Sequence, residues 1–144
     1  TLIPLFSGEC GSLISILGAR LSSGIHSGLV EPIRKPEGEA LHNFAVCFIL
    51  AIVIFPFIGI LAEGSSLVFG VTGVGFEKII PISALSGLIL VTIMVFLVYY
   101  ISITSYNHNL DPDNIVIPIS TSVTDSISSL ILISVSLLIL SLLV

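Results

Sequence analysis

One acidic residue lies inside an apolar segment and is surrounded by hydroxyl groups. Polar side chains recur there at steps of three and four positions, at Thr121, Ser122, Asp125, Ser128 and Ser129. On an α-helix this spacing places them on one face. A carboxylate inside a membrane costs roughly 2.5 to 3.5 kcal/mol, so Asp125 is expected to be protonated, to face water or to meet a cation. We interpret it as a candidate cation site, with a hydrogen-bonded structural aspartate as the alternative.

The composition predicts the environment of that helix. Of the 144 residues, 55% are hydrophobic and 9% are charged, and the mean hydropathy is +1.21. Soluble domains carry about 25% charged residues, so a water-soluble globular protein, a coiled coil and a disordered chain are excluded. With four Lys and Arg residues and a net charge of −5, no nucleic-acid partner is expected. We predict an integral membrane protein in contact with the lipid bilayer.

Most charged residues cluster in loops that separate long apolar segments. One such loop is bracketed by Glu63, Glu77 and Lys78. A helix needs roughly 20 apolar residues to cross a hydrocarbon core of about 30 Å, and lipid offers no partner for unpaired backbone groups. The fold class is therefore an all-α bundle, one domain over residues 1–144. Its four predicted transmembrane spans lie at about 2–23, 41–63, 80–104 and 115–144.

The basic residues predict the orientation of the bundle. The 24–40 loop holds Arg34 and Lys35, with Arg20 at its approach. The two later loops hold only Lys78 between them. The positive-inside rule therefore places the 24–40 loop in the cytoplasm. We expect a protein of the plasma membrane, with the Arg20 side chain extending to the cytoplasmic face.

The first span carries small residues on one helical face, at Gly8, Gly11, Ser15, Gly18 and Ser22. Two interpretations stay open. Such a face lets another helix approach closely in lipid. Alternatively, Pro4, Gly8 and Gly11 loosen the helix and direct free carbonyl groups toward a polar cavity.

The fourth span begins with a turn that is typical of a helix N-cap. The turn is Asp111-Pro112-Asp113-Asn114. Its two aspartates either act only as caps or also give the inner mouth a negative potential. Asp111 and Asp125 are roughly 21 Å apart along one helix, so one chain cannot form the acid pair of an intramembrane aspartyl protease. No enzymatic activity is expected.

Two of these segments resemble helices of one transporter family. The fourth span is similar to the last transmembrane helix of the MgtE-type magnesium transporters, and most similar to their solute carrier family 41 branch. That similarity rests on Asp111, Pro112, Asp113, Asn114, Pro118, Ile119, Thr121 and Asp125. The first span is similar to the glycine-rich helix of the same family, through Pro4, Gly8, Gly11, Arg20, Leu21 and Ser22.

The resemblance implies divalent cation transport, with Mg²⁺ as the transported ion and no organic cofactor. It implies a homodimer or a two-repeat fusion, with a pore lined by the first and fourth spans. The implied metal site consists of Asp125, the main-chain carbonyl of Thr121, and Asp111 at the inner end. The implied pore lining includes Gly8, Gly11, Ser12, Ser122 and Ser128.

The chain departs from the family pattern in three ways. Glu9 and Cys10 replace residues that vary within the family, and this change is expected at the mouth of the pore. Ser12 stands where the family motif has Asn, and the family's membrane unit has one helix more than the four spans predicted here. A further helix is therefore expected before Thr1. Two alternatives to a simple Mg²⁺ pathway remain. One is a coupled divalent cation exchanger, and the other is a membrane scaffold that docks a partner helix without transporting an ion.

Overall fold

The computed structural model describes residues 2–142 and contains four long α-helices. They are α1 (Leu2–His26), α2 (Glu39–Val68), α3 (Phe76–Asn107) and α4 (Pro112–Leu142). Each is long and apolar enough to cross a membrane, and the described range contains no strand. The predicted all-α bundle with four spans is confirmed. Positions 143 and 144 of the last predicted span lie outside the described residues.

The helices are longer than the predicted spans because apolarity marks only the part inside hydrocarbon. Helical turns at a membrane interface bond to water, so polar residues continue a helix beyond its apolar segment. The clearest correction concerns Glu63, which was expected to bracket a loop. It lies inside α2, five residues before Val68, and its side chain is only 4% exposed.

Helices α1 and α3 form the centre of the bundle. Each of them packs against the other three helices, whereas the backbones of α2 and α4 do not approach each other within the described residues. The cross-section is therefore a diamond with α2 and α4 at opposite corners. Two seams on the outer surface flank α1: the α1–α4 groove and the α1–α2 seam.

Large apolar side chains fill the space between the helices. Phe6 of α1 and Phe55 of α2 are fully buried, and their ring centroids lie 5.0 Å apart. Tyr99 of α3 is also fully buried, and a buried phenol needs a hydrogen-bond partner. Its hydroxyl lies 2.9 Å from the carbonyl oxygen of Ile33 and 3.1 Å from that of Lys35. These contacts hold the predicted 24–40 loop, whose non-helical part is residues 27–38, against α3.

The predicted N-cap of α4 is present. Oδ1 of Asp111 accepts a hydrogen bond from the backbone N–H of Asp113 at 3.2 Å, and Oδ2 accepts one from the side-chain amide of Asn114 at 3.1 Å. Pro112 takes the first helical position, where its missing N–H costs no hydrogen bond. Within residues 2–142 the only pair of acidic and basic side chains closer than 4.0 Å is Asp111 and His26, whose Oδ1 and Nε2 lie 3.7 Å apart and form a salt bridge when the imidazole is protonated. It links the end of α1 to the start of α4.

Candidate functional site

Asp125 lies near the middle of α4, about 20 Å along the helix from Pro112. Its Oδ1 accepts a hydrogen bond from Oγ of Ser7 at 2.8 Å across the α1–α4 groove. The side chain is exposed on the outer surface of the bundle. No salt bridge within the described residues includes it. The carboxylate is thus fixed by a hydroxyl group and remains accessible to water or to an ion.

Two serines connect α1 to α4 beside this carboxylate. Oγ of the fully buried Ser128 donates to Oγ of Ser7 at 3.1 Å, and Ser7 in turn donates to Asp125. This chain of hydroxyl groups orients the carboxylate. Ser7 is absent from the residues predicted from the sequence. It lies next to Gly8 and four residues before Gly11, so it shares the small-residue face of α1, and that spacing could have identified it.

The predicted hydroxyl groups of α4 bond to their own helix. Oγ of Ser122 donates to the carbonyl of Pro118 at 2.8 Å, and Oγ1 of Thr121 donates to the carbonyl of Ile117 at 2.9 Å. Ser122 is exposed and Thr121 is half-buried. Because each hydroxyl hydrogen is engaged, the oxygen is left to accept a hydrogen bond. Oxygens of this kind suit the water molecules around a hydrated cation.

The glycines of α1 separate into two groups. A Cβ added at Gly8 or Gly11 would meet nothing within 4 Å, whereas one added at Gly18 would lie 3.2 Å from Cγ1 of Val116. Packing inside the described chain therefore explains Gly18 but not the other two. Helix α1 runs unbroken through Gly8 and Gly11, so it is not locally unwound there. The exposed Ser12 donates its hydroxyl to the carbonyl of Gly8 at 3.0 Å.

Asp111 does not come together with Asp125. It lies at the start of α4, where it caps the helix and pairs with His26. Both side chains of that pair are about half exposed, at 52% each. Asp111 therefore belongs to one end of the bundle, and Asp125 belongs to the groove in its middle.

Glu63, an acid inside α2, is enclosed rather than accessible. Oε1 of Glu63 accepts the backbone N–H of Gly75 at 3.0 Å, and Oε2 has no hydrogen-bond partner within the described residues. This bond ties the last turns of α2 to the start of α3. The sequence placed Glu63 beside a loop, and no spacing pattern around it indicated burial.

The donor set limits what the groove can bind. Within residues 2–142 no three His, Cys, Asp or Glu side chains come together as metal ligands. One carboxylate surrounded by hydroxyl oxygens therefore favours a cation that keeps part of its water shell over one held only by protein atoms.

Comparison with known proteins identifies one family. The family described as "MgtE: Divalent cation transporter" matches residues 3–135 of the 144. Neither the curated proteins nor the solved structures give a match. The matched range contains both sides of the α1–α4 groove, including Ser7 and Asp125.

Proposed function

The chain belongs to the MgtE family of divalent cation transporters, and from this premise we propose that it carries Mg²⁺ across the membrane along the α1–α4 groove. Asp125 is the proposed ion site. The observation that carries the proposal is an accessible carboxylate in the middle of an apolar helix, with a serine hydroxyl as its hydrogen-bond donor and no basic side chain of the described residues paired to it. A passing cation supplies the positive partner charge that no basic side chain of the described residues supplies.

The groove offers what a hydrated Mg²⁺ ion needs. Mg²⁺ loses water reluctantly and usually binds one or two carboxylates while keeping several waters. In the proposed path the water shell donates hydrogen bonds to hydroxyl and carbonyl oxygens of both helices, among them the main-chain carbonyl of Thr121. Asp111 would attract the cation at the inner mouth. The remaining proposed lining is Gly8, Gly11, Ser12, Ser122 and Ser128.

We further propose that two copies of this unit, in a homodimer or a two-repeat fusion, enclose the path. In one copy the groove faces outward, where lipid contact with a carboxylate costs roughly 2.5 to 3.5 kcal/mol. The open space at Gly8 and Gly11 lets another helix approach closely. A two-fold axis along the groove would bring two Asp125 carboxylates together. A divalent cation between them relieves their mutual repulsion.

The membrane potential is sufficient to drive the proposed transport inward. Moving two positive charges through 100 mV releases about 4.6 kcal/mol, twice the figure of about 2.3 kcal/mol for one charge. The proposed orientation keeps the 24–40 loop in the cytoplasm of a cell with a polarised plasma membrane. Influx then needs no second ion gradient, in contrast to a coupled exchanger.

The test of the ion site is Mg²⁺ uptake into vesicles that contain the purified full chain. Asp125→Asn removes the charge with little change in volume, and uptake is expected to fall to the level of empty vesicles. Glu77→Gln, an equal loss of charge at an exposed position outside the groove, serves as the control and should transport normally. Normal uptake by Asp125→Asn would refute the assignment.

A scaffold function is the second candidate, because the open faces of Gly8 and Gly11 also suit a partner helix. The two functions differ in what each substitution changes. For a scaffold, Gly11→Leu abolishes assembly while Asp125→Asn has no effect on any activity of the complex. For the proposed transporter, Asp125→Asn assembles normally, as judged by size-exclusion chromatography, and fails to transport Mg²⁺.

A further inference from the structure

The α1–α2 seam contains an arginine, Arg20, whose terminal nitrogens have no protein partner among residues 2–142. Nε of Arg20 donates to Oδ1 of Asn43 at 2.7 Å, and Asn43 is only 5% exposed. No salt bridge within the described residues includes Arg20. A buried amide therefore orients the guanidinium group, while its two outer nitrogens stay available to a ligand.

An open cavity of about 470 Å³ lies beside this guanidinium. Polar groups of Arg20, Asn43, Ser23 and Glu39 line it, together with the apolar side chain of Leu29. Leu29 is 67% exposed, which extends the cavity to an apolar outer surface. Buried Asn43 and Val30 lie at the inner wall of the cavity, whereas Arg20, Ser23, Glu39 and Leu29 are exposed around it.

The depth of the cavity matches the headgroup layer of a bilayer. Arg20 lies six residues before the end of α1, and Asn43 lies four residues after the start of α2. At 1.5 Å per residue these positions are about 6 to 9 Å inside the helix ends. The headgroup layer on each side of the hydrocarbon core is of similar thickness.

The two charges in this cavity define the ligand. Arg20 and Glu39 line the same space without forming a salt bridge with each other. The planar guanidinium fork matches two phosphate oxygens, and a carboxylate accepts hydrogen bonds from an ammonium group. We propose that the cavity binds the phosphoethanolamine headgroup of a phospholipid, with its phosphate on Arg20 and its ammonium on Glu39.

This lipid site is separate from the proposed ion path. Arg20 bonds to α2, whereas Ser7 bonds to α4 across the α1–α4 groove. A second copy that covers the groove would therefore leave the α1–α2 seam facing lipid. The bound headgroup would join the end of α1 to the start of α2.

The test is lipid retention by the purified full chain, measured by native mass spectrometry after detergent exchange with one added lipid. Wild type is expected to retain phosphatidylethanolamine. Arg20→Gln should weaken retention by about tenfold or more, because a charged hydrogen-bonded pair is lost. Arg34→Gln removes the same charge from the neighbouring loop and is the matched control. It should retain the lipid as wild type does.

Three further variants test the roles of the carboxylate and of the guanidinium group separately. Glu39→Gln should remove the preference for phosphatidylethanolamine over phosphatidylglycerol, whereas Glu37→Gln should preserve it. Arg20→Lys keeps the charge without the fork, so an intermediate loss is expected even if Arg20→Gln folds poorly.

Three results would overturn the proposal. The first is equal retention by Arg20→Gln and Arg34→Gln. The second is equal retention of both lipids by wild type. The third is a rise in melting temperature with inorganic phosphate alone that matches the rise with phosphatidylethanolamine, because a soluble anion would then account for the site.

Discussion

Asp125 and Glu63 are both acids within apolar helices, and the protein surrounds them in opposite ways. Asp125 is exposed on the α1–α4 groove and accepts a hydrogen bond from the Ser7 hydroxyl. Glu63 is 4% exposed and accepts a hydrogen bond from the Gly75 backbone. A position inside an apolar helix therefore does not by itself identify a carboxylate that binds a cation. The two acids differ in their access to solvent and in the hydroxyl oxygens beside them, which can accept hydrogen bonds from water. We therefore expect the accessible acid, Asp125, to receive an ion.

Glu63 has the surroundings of a structural anchor. Its hydrogen bond to the Gly75 N–H holds the turn between α2 and α3 against the end of α2. Gly73 packs directly on the carboxylate, so a Cβ at that position would overlap it. The tie offsets part of the cost of enclosing Oε2, which has no hydrogen-bond partner within the described residues. Glu63 is therefore expected to affect stability more than transport.

Replacing each acid by its amide is expected to give the largest difference in Mg²⁺ uptake between the two positions. Asp125→Asn should abolish Mg²⁺ uptake, because the proposed path then has no carboxylate at mid-membrane. Glu63→Gln should transport within about twofold of wild type, since it keeps an acceptor for the Gly75 N–H. Uptake of ²⁸Mg into proteoliposomes at equal protein content measures both. Loss of uptake in both variants, with both folded, would erase the distinction between the two acids.

A second test fills the α1–α4 groove without altering either acid and again compares Mg²⁺ uptake between the surroundings of Asp125 and those of Glu63. Gly11→Leu adds a side chain where the described chain leaves open space. The fold should tolerate it, but uptake should fall by more than about tenfold if a second copy or a hydrated ion occupies that space. Gly64→Leu is the matched control, because that glycine of α2 also has open space and lies one residue from Glu63. Equal uptake by the two leucine variants would contradict a path along α1.

The effect on stability should be the reverse of the effect on uptake: losing Glu63 should destabilise the bundle more than losing Asp125. Glu63→Ala leaves the Gly75 N–H without its acceptor, and the expected loss is about 1 to 3 kcal/mol in the free energy of unfolding. Asp125→Ala should cost less, at most about 0.5 to 1.5 kcal/mol, because it loses only the hydrogen bond from Ser7 at an exposed position. Denaturation in mixed micelles, followed by circular dichroism, measures both. A larger loss in Asp125→Ala would identify it as the structural acid.

The sequence predicted the helices far better than the surroundings of their polar groups. Apolar length alone predicts four spans, and the N-cap at Asp111 follows from local turn chemistry. The burial of Glu63 did not follow, because it depends on the path of the turn that brings Gly75 to α2. Likewise, the Arg20–Asn43 bond joins residues 23 positions apart, and it depends on which helices are neighbours.

The glycines of α1 show, within one motif, that sequence spacing does not predict which residues pack against each other. Gly8, Gly11 and Gly18 have one spacing pattern, yet only Gly18 packs closely against another helix of the described chain. Spacing defines a face of a helix but not what covers it. The residue types around Asp125 indicated a polar site, whereas the Ser7 hydroxyl that bonds to it comes from the far end of the sequence.

The smallest expected effect concerns the hydroxyl chain that orients Asp125. Ser7→Ala removes the hydrogen bond that the Asp125 carboxylate accepts, worth about 0.5 to 1.5 kcal/mol, together with the one that Ser7 accepts from Ser128. It should raise the Mg²⁺ concentration for half-maximal uptake by about two- to tenfold. Adding Ser128→Ala should change little more, because Ser128 reaches the carboxylate through Ser7. Ser134→Ala removes an exposed hydroxyl that bonds only to its own helix and is the control. Fully additive effects of the two groove serines, or an equal effect of Ser134→Ala, would show that the carboxylate is not positioned by this chain.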